Sequence, residues 1–431
     1  MKPQGFGATD VGRARSSNED CLFVSDELGL YLVCDGMGGH AAGEVAAQIA
    51  TDTVVKAVRK SLAEADATRG HAPSHTELQE TLRRAIHGAS LAVCAEAMAN
   101  PEHAGMGCTI TALQFTANKA IMAHVGDTRL YLLRDGAAEL LSSDHTFAAD
   151  MVRRGELTPT AARDHKFANA LTRCVGSQDA VRVDSLVFDV GPDDRFLICS
   201  DGFSGYVESL SELASALAGD DPEAIPDELI QLANDRGGKD NITAIAIVMD
   251  ASDEEMEQLL AVNQECRQDL EALRGIELFA SISFAEALRV LNYSEVQCAA
   301  AGDEVVAQEG PHDRLLLVLA GEFTLHSDGD ISAVPMSAGD YVGDTALLVP
   351  ERRPFTLRAT DDGRILFLTG DRLRELSRRR PWLGVKMMTS IAAKLSKELA
   401  DAGERLRETV AHSRPLSRGL WQRLFALLGG R

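Results

Sequence analysis

The sequence has no two cysteines at C-x-x-C spacing; its eight cysteines, at positions 21, 34, 94, 108, 174, 199, 266 and 298, are scattered. That removes a zinc knuckle and any disulfide framework from consideration. Cys34 and Cys199 end apolar runs and read as small core residues. Positive charge is also scarce: 43 Lys and Arg stand against 65 Asp and Glu, a net charge of -22. Diffuse attraction to nucleic acid or to an anionic membrane is therefore disfavoured for the molecule as a whole, and no nucleic-acid partner is expected. No run approaches the roughly 20 apolar residues of a spanning helix. The opening Met1-Lys2-Pro3-Gln4 carries no apolar signal segment, so cytoplasmic residence is the expectation. Neither a C-x5-R loop nor a glycine-rich loop ending in G-K-[ST] occurs.

What is present is a chain of 431 residues, 45% hydrophobic and 25% charged. This exceeds the length at which one core keeps growing, so two cores are expected. From Asp20 to Asp250, short β-branched runs closed by Asp or Gly alternate with longer helical stretches. Leu22–Val24, Leu30–Cys34, Ile110–Phe115, Ala120–Val125, Leu130–Leu133, Phe196–Cys199 and Ile242–Val248 read as strands. Ala41–Leu62 and Glu77–Ala97 read as amphipathic helices. Tight turns at Thr116-Ala117-Asn118 and Arg134-Asp135-Gly136 favour antiparallel pairing, hence packed antiparallel sheets covered by helices. The stretch Asp144–Gly176, with little strand pattern, reads as an insertion and a candidate substrate lid.

After Asp250 the character changes. Ser252-Asp253-Glu254-Glu255 caps an expected connector helix to Leu273. Its seam of Met256, Leu259, Asn263, Cys266, Leu270 and Leu273 has coiled-coil spacing, serving either a homodimer or packing on the next domain. Beyond Gly275 come a short helix, Phe284–Leu291, then apolar runs divided by Gly-Asp, Gly-Glu and Asp-Gly as in a small barrel or roll. A helix from Trp382 to about Val410 closes that domain. The tail His412–Arg431 sets Leu420, Trp421, Leu424, Phe425 and Leu428 at helical spacing among arginines, suited to a membrane, another protein or its own domain.

Four carboxylates stand at strand margins: Asp35 after Leu30–Cys34, Asp127 after Met122–Val125, Asp201 after Phe196–Ser200, and Asp240 before Ile242–Val248. Each alone reads as a turn residue. Together, neighbouring strands would bring several to one rim, where clustered anions require cations or protons, and hard divalent cations prefer such oxygen ligands.

The order and wording of these segments resemble the PPM, or type 2C, metal-dependent protein phosphatases across nearly all of residues 5–250. The motifs that carry the resemblance are Arg15-Ser16-Ser17-Asn18-Glu19-Asp20, Asp35-Gly36-Met37-Gly38-Gly39, Gly107-Cys108-Thr109, Val125-Gly126-Asp127-Thr128-Arg129, Ser200-Asp201-Gly202 and Lys239-Asp240-Asn241. The resemblance implies an α+β fold, an αββα sandwich of two antiparallel sheets flanked by helices. It implies two Mn²⁺ or Mg²⁺ ions bridged by Asp35, with Asp201 and Asp240 on one and the Gly36 carbonyl on the other. Glu19 and Asp20 would orient ordered waters, Asp127 with Asp201 would form a third, weaker site, and Arg15 would clamp phosphate. The implied reaction is one-step in-line attack of a water held between two ions on phosphoserine or phosphothreonine of other proteins. Met37 stands where many eukaryotic relatives carry histidine, as in bacterial relatives, which moves leaving-group protonation from a side chain to an ordered water. His40 is close by and reads as a helix-start residue.

Leu273 to about Lys397 resembles a cyclic nucleotide-binding domain, a β-roll with helices at both ends. The resemblance rests on Glu277-Leu278-Phe279, Gly302-Asp303, Glu309-Gly310, Leu317–Phe323 and Ala338–Leu348. It implies a phosphate cassette at Gly343, a pairing arginine at Arg353, and Asp344 in place of the glutamate that grips the ribose. Pro354 and Phe355 replace small residues there. cAMP or cGMP is the implied ligand, with a degenerate roll used for docking or dimerisation as the alternative. The expected domains are 1–250, a connector 251–274, 275–411 and a tail 412–431. The rival to a regulated phosphatase is a non-catalytic phosphoprotein-binding or nucleotide-sensing scaffold. Three mutually repelling carboxylates argue against it.

Overall fold

The computed structural model describes residues 1–412 apart from 39–41, 70–71, 164, 178–179, 251–252, 309, 328–332, 350 and 353. The chain packs as two compact units, one comprising Met1–Glu271 with Ser283–Asn292, the other Ala272–Ile282 with the chain from Tyr293 onward. Arg353, His40, Gly39 and the tail after residue 412 lie outside the described residues.

The first unit holds eleven described strands: β1 (Lys2–Asp10), β2 (Asp20–Ser25), β3 (Leu30–Met37), β4 (Gly107–Cys108), β5 (Ile110–Thr116), β6 (Lys119–Val125), β7 (Arg129–Arg134), β8 (Ala137–Leu140), β9 (Asp184–Asp189), β10 (Arg195–Cys199) and β11 (Ile242–Asp250). They form two antiparallel sheets, ordered β1-β11-β10-β7-β8 and β2-β3-β5-β6-β9, with β4 beside β3. Helices α1 (Ala42–Arg69) and α2 (His75–Ala99) cover the second sheet. Next come α3 (Phe147–Arg153) and α4 (Pro159–Arg163) in the insertion, then α5 (Asp201–Ser204), α6 (Leu210–Leu217) and α7 (Ile225–Asp235). Of these, α6 and α7 cover the first sheet.

The run Leu30–Cys34 is apolar throughout because its strand is covered on both faces. Leu30, Leu32 and Cys34 join Ala46, Val54, Leu82 and Ile86 beneath α1 and α2. Tyr31 points the other way, edge-on to Phe115, which meets Phe196 of the opposite sheet at 5.4 Å. A second helix layer closes over Leu197, Cys199, Ala244 and Ala246 through Leu213, Leu217, Leu229 and Ala233. The four layers are the expected αββα sandwich. Strand β1 was not anticipated; it pairs with β11 over its whole length, from Lys2↔Asp250 to Asp10↔Ile242. Helix α2 begins at a capping box in which Ser74 and Glu77 exchange bonds.

Helix α8 (Asp253–Gly275) belongs to the first unit as far as Glu271 and to the second from Ala272. Of its seam, Leu270 and Leu273 are buried within the chain, so that end is not free for a second copy. Met256, Leu259 and Asn263 lie outside the residues whose side chains are described. Helix α9 (Phe284–Asn292) packs with β8 and β9 in the first unit, where the sequence reading had assigned it to the second domain.

In the second unit, β12 (Glu295–Ala299), β13 (Glu304–Val306), β14 (Pro311–His312), β15 (Arg314–Ala320) and β16 (Phe323–Ser327) precede the cassette region. They are followed by β17 (Val334–Met336), β18 (Tyr341–Val342), β19 (Glu351–Arg352), β20 (Phe355–Ala359) and β21 (Gly363–Thr369). Sheets β12-β21-β15-β18 and β13-β20-β16-β17 enclose Leu316, Val318, Phe323, Met336, Leu357 and Ile365, giving a β-roll. Helices α10 (Gly370–Arg379) and α11 (Pro381–His412) pack on each other at its end. Among the described residues no helix is long and apolar enough to cross a membrane.

Candidate functional site

The sandwich brings strand ends from both sheets to one rim. Asp20 and Asp35 face each other across β2 and β3. Asp127 sits in the crossing from β6 to β7, Asp201 opens α5 directly after β10, and Asp240 immediately precedes β11. Ser200 ties the last two together, its N–H donating to the Thr243 carbonyl at 3.0 Å and its hydroxyl accepting from the Thr243 N–H at 3.0 Å.

The electrostatics record this crowding. Burial, followed by the charges of Asp20, Asp201, Asp127 and Asp240, pushes the Asp35 carboxyl well above the ordinary range. Burial also lifts Asp20 to about 7, against hydroxyl bonds from Thr243 and Ser200 that favour its anion. Asp127 is raised by burial, then by Asp201 and Asp144; Asp201 is raised by burial and Asp240, with a bond to Asp35 drawing it back. Glu19 is raised by burial, although Arg15 beside it works in the opposite sense.

Glycine is required at position 36. Its N–H donates to the Glu19 carbonyl at 3.1 Å, and a Cβ there would lie 2.2 Å from the Gly43 carbonyl oxygen and 2.5 Å from that of Glu19. Only a bare backbone fits between the strand and the start of α1. Thr109 fixes the neighbouring residue, donating its N–H to the Asp35 carbonyl at 2.8 Å and accepting the Asp35 N–H at 3.0 Å.

Asn241 organises the loop that carries Arg15. Its amide donates to the carbonyls of Val11 and Ser17, and its oxygen accepts from the Glu19 N–H. Arg15 itself is half exposed and donates to Asp240 Oδ2 at 2.7 Å.

Behind the rim, Arg129 forks onto Asp144 through Nε and Nη2. His145 contacts Gly126 by backbone and ring, and His124 lies beside it with ring centroids 4.8 Å apart. Sequence reasoning did not single out Thr243, Asn241 or His145 for any role. The available signal was position: Asn241 follows Asp240, and Asp144-His145 opens the insertion.

The donor set fits divalent cations. Several buried carboxylates have mainly one another as charged neighbours, and a hard cation with oxygen preference relieves that repulsion. As their side chains stand, no three His, Cys, Asp or Glu groups among the described residues converge closely enough to hold an ion. The fit thus rests on backbone placement at the rim and on pKa values raised by burial and by the neighbouring carboxylates.

In the second unit, Asp344 is buried and accepts from Lys394 Nζ of α11 at 2.7 Å. That ammonium also lies 4.5 Å above the Tyr341 ring. Gly343 precedes Asp344 with φ +87°.

The sequence profile described as "Protein phosphatase 2C" matches residues 12–243, more than half of the chain, and that of the "Cyclic nucleotide-binding domain" matches residues 296–380. The serine/threonine protein phosphatase PstP of Mycobacterium tuberculosis is 33% identical over 237 residues, 55% of this chain; the match spans 43% of that relative, less than half its length. The serine/threonine phosphatase stp of Listeria monocytogenes is 32% identical over 56% of this chain and 94% of its own. Among solved structures, the M. tuberculosis phosphatase PstP/Ppp superposes with a TM-score of 0.53 at 30% identity, over 58% of this chain and all of that one. Stp1 of Staphylococcus aureus gives 0.52 at 30% identity, over 58% and 96%. With the family's profile covering more than half of the chain and every acid of the rim, the chain belongs to the protein phosphatase 2C family.

Proposed function

We propose that the first unit hydrolyses phosphoserine and phosphothreonine in other proteins by direct attack of water on phosphorus. The observation that carries this reading is the rim itself: for Asp20, Asp35, Asp127 and Asp201, from both sheets, burial first and neighbouring carboxylates next push the pKa up. Such a cluster is costly without cations, and the family membership supplies the reaction class. Asp35, Asp201, Asp240 and the Gly36 carbonyl would hold two Mn²⁺ or Mg²⁺ ions, with Asp127 and Asp201 at a third. When bound, such ions supply an acidified water and neutralise charge growing on phosphate.

The chain's own residues do the rest. Arg15 receives the phosphate oxygens with a planar fork, releasing Asp240 as it does so. Glu19 and Asp20 accept hydrogen bonds from ordered water, Asp20 while held by the Thr243 hydroxyl at 2.6 Å. Met37, the last residue of β3, offers no proton, so the leaving alkoxide takes one from water. The insertion carrying α3 and α4 faces the task of selecting the phosphoprotein. None of the eight cysteines is disulfide-bonded, which suits the reducing cytoplasm proposed as its compartment.

The test is Mn²⁺-dependent release of phosphate from a phosphothreonine peptide. It should vanish on chelation and in Asp201→Asn. Metal-independent release, or none from folded protein with Mn²⁺, overturns the reading in favour of a binding scaffold.

For the roll we infer that cAMP or cGMP, if bound through Gly343, Asp344 and Arg353, must first displace Lys394 from Asp344. Calorimetry with both nucleotides on the native chain and on Arg353→Ala decides it. Heat that Arg353→Ala leaves unchanged rejects that pocket. A homodimer, and membrane contact by the tail, stay part of this reading; light scattering and vesicle sedimentation test each.

A further inference from the structure

We propose that His145 is a positioning residue for Asp127, acting through Gly126, and that it ties this ligand to the rest of the insertion it opens, residues 147–171. The inference rests on the metal reading above. Gly126 is held at two points by one residue: the His145 N–H donates to the Gly126 carbonyl at 2.7 Å, and the Gly126 N–H donates to His145 Nδ1 at 3.1 Å. The Gly126 carbonyl belongs to the peptide bond that bears the Asp127 nitrogen, so fixing it sets the plane from which Asp127 projects.

The other side of this grip is equally closed. Gly126 has φ +111°, and a Cβ there would lie 2.5 Å from Thr109 Cβ, the residue that also brackets Asp35. Gly126 is thus pressed between Thr109 and His145. Asp127 inherits a fixed position relative to Asp35.

The ring is itself oriented. A backbone N–H can only donate, so Nδ1 carries the lone pair and the ring proton sits on Nε2, 3.2 Å from Asp184 Oδ2 on β9. Arg173 Nη1 lies 3.1 Å from Asp184 Oδ1 and 3.1 Å from Nε2 itself; since Gly126 takes the one lone pair at Nδ1, Nε2 and Arg173 are both donors, and the Asp184 carboxylate is the acceptor they share. His145 is 2% exposed.

The same residue reaches the insertion. Its carbonyl accepts from the Thr172 N–H at 2.7 Å, Thr146 bridges to Leu171, and the Phe147 N–H donates to the Ala170 carbonyl at 2.8 Å. The two ends of residues 147–171 therefore meet beside His145, the residue that grips Asp127's peptide.

A merely structural histidine would affect stability alone, so the test reads metal binding. Mn²⁺ is titrated into the full chain, with free ion followed by electron paramagnetic resonance, to resolve the tight steps from the weak one. Asp127→Asn, the reference, loses the weak step. In His145→Leu the weak step should weaken by about 10- to 100-fold, the usual cost of losing a ligand's support, with the tight steps unchanged.

His145→Asn restores an acceptor where Nδ1 stood and should keep the weak step within a few-fold of native. His145→Gln places its acceptor at the Nε2 position instead and should behave as Leu does. The Asn and Gln pair decides the matter even if Leu does not fold. A weak step that is equal in Asn and Gln, or tight and weak steps that fall together, overturns the proposal. Absence of any tight Mn²⁺ binding by the native chain would instead sink the metal reading on which it stands.

Discussion

The two units treat a buried aspartate in opposite ways. In the first, Asp35 is surrounded by Asp20, Asp201, Asp127 and Asp240, and burial plus their charges drive its pKa well above the ordinary carboxylate range. In the second, Asp344 lies under α11 against Lys394, and although burial opposes the ammonium, the carboxylate holds it above its ordinary range. One site is incomplete without external positive charge; the other contains its own counter-ion. A family of folds is thus a poor guide to ligand need, and the local balance of charge a better one.

The largest effect that could break this contrast lies at the rim. Asp201→Asn should lower phosphothreonine-peptide turnover at saturating Mn²⁺ by at least about a thousand-fold, exceeding the roughly 10- to 100-fold cost of a supporting residue. In chelator, Asp35→Asn should raise the melting temperature, because it deletes a charge that the fold disfavours. A drop in melting temperature would show that the acids are already neutralised by the protein itself.

The roll should respond with the opposite sign. Lys394→Met leaves Asp344 buried without its cation and should cost about 3 kcal/mol, the lower end for breaking a buried pair, since Lys394 keeps 23% of its side chain exposed. Trp382 belongs to this unit and the chain's other tryptophan, Trp421, lies outside the described residues, so tryptophan fluorescence in urea, read in a Trp421→Phe background, reports this unit. Adding Asp344→Leu to Lys394→Met should recover most of the loss. Full stability in the single variant would show that the ion pair is not what closes the cassette.

The rim was legible from the sequence because its acids follow strands whose two-sided burial writes continuous apolar runs, as in Leu30–Cys34 and Phe196–Cys199. Strand β1 was not, since Pro3, Gly5 and Gly7 read as breakers; its pairing with β11 comes from tertiary contact, not propensity. Helices α6 and α7 are short, and their apolar faces, Leu213 with Leu217 and Leu229 with Ala233, cover the first sheet without a long periodic signal. Helix α9 shows the limit of division by sequence order, packing with the unit that precedes its connector. Asp344 was read as a shortened glutamate; that Lys394, fifty residues on, would meet it is a long-range fact that no local pattern carries.

A smaller effect sharpens the contrast through pH. Burial, with His145 next, lowers His124 from 6.5 to about 3, so its ring is neutral in the fold. Between these values the unfolded chain binds a proton that the folded chain refuses, and stability therefore falls as pH drops from 6.5 towards 3. At pH 5 this amounts to about 2 kcal/mol. The difference in urea midpoint between pH 7 and pH 5, in chelator, should be larger for the native chain than for His124→Gln. Rim carboxylates shift both proteins alike, so the comparison isolates His124. Equal pH shifts in the two proteins would mean that the ring is already charged or reaches water.

The smallest effect concerns Arg15, which donates to Asp240 at the rim. Its pair with Asp240 is 49% and 37% exposed, and such pairs add little to a fold, so the guanidinium is free to exchange partners. A phosphate dianion offers it two oxygens at once, whereas here it holds Asp240 through one nitrogen. Arg15→Lys keeps the charge but loses the fork, and should raise KM for a phosphothreonine peptide about 10-fold with melting temperature unchanged. If kcat fell while KM held, Arg15 would instead be acting on Asp240, and the positive charge native to the first unit would belong to the metal centre, as Lys394 belongs to Asp344.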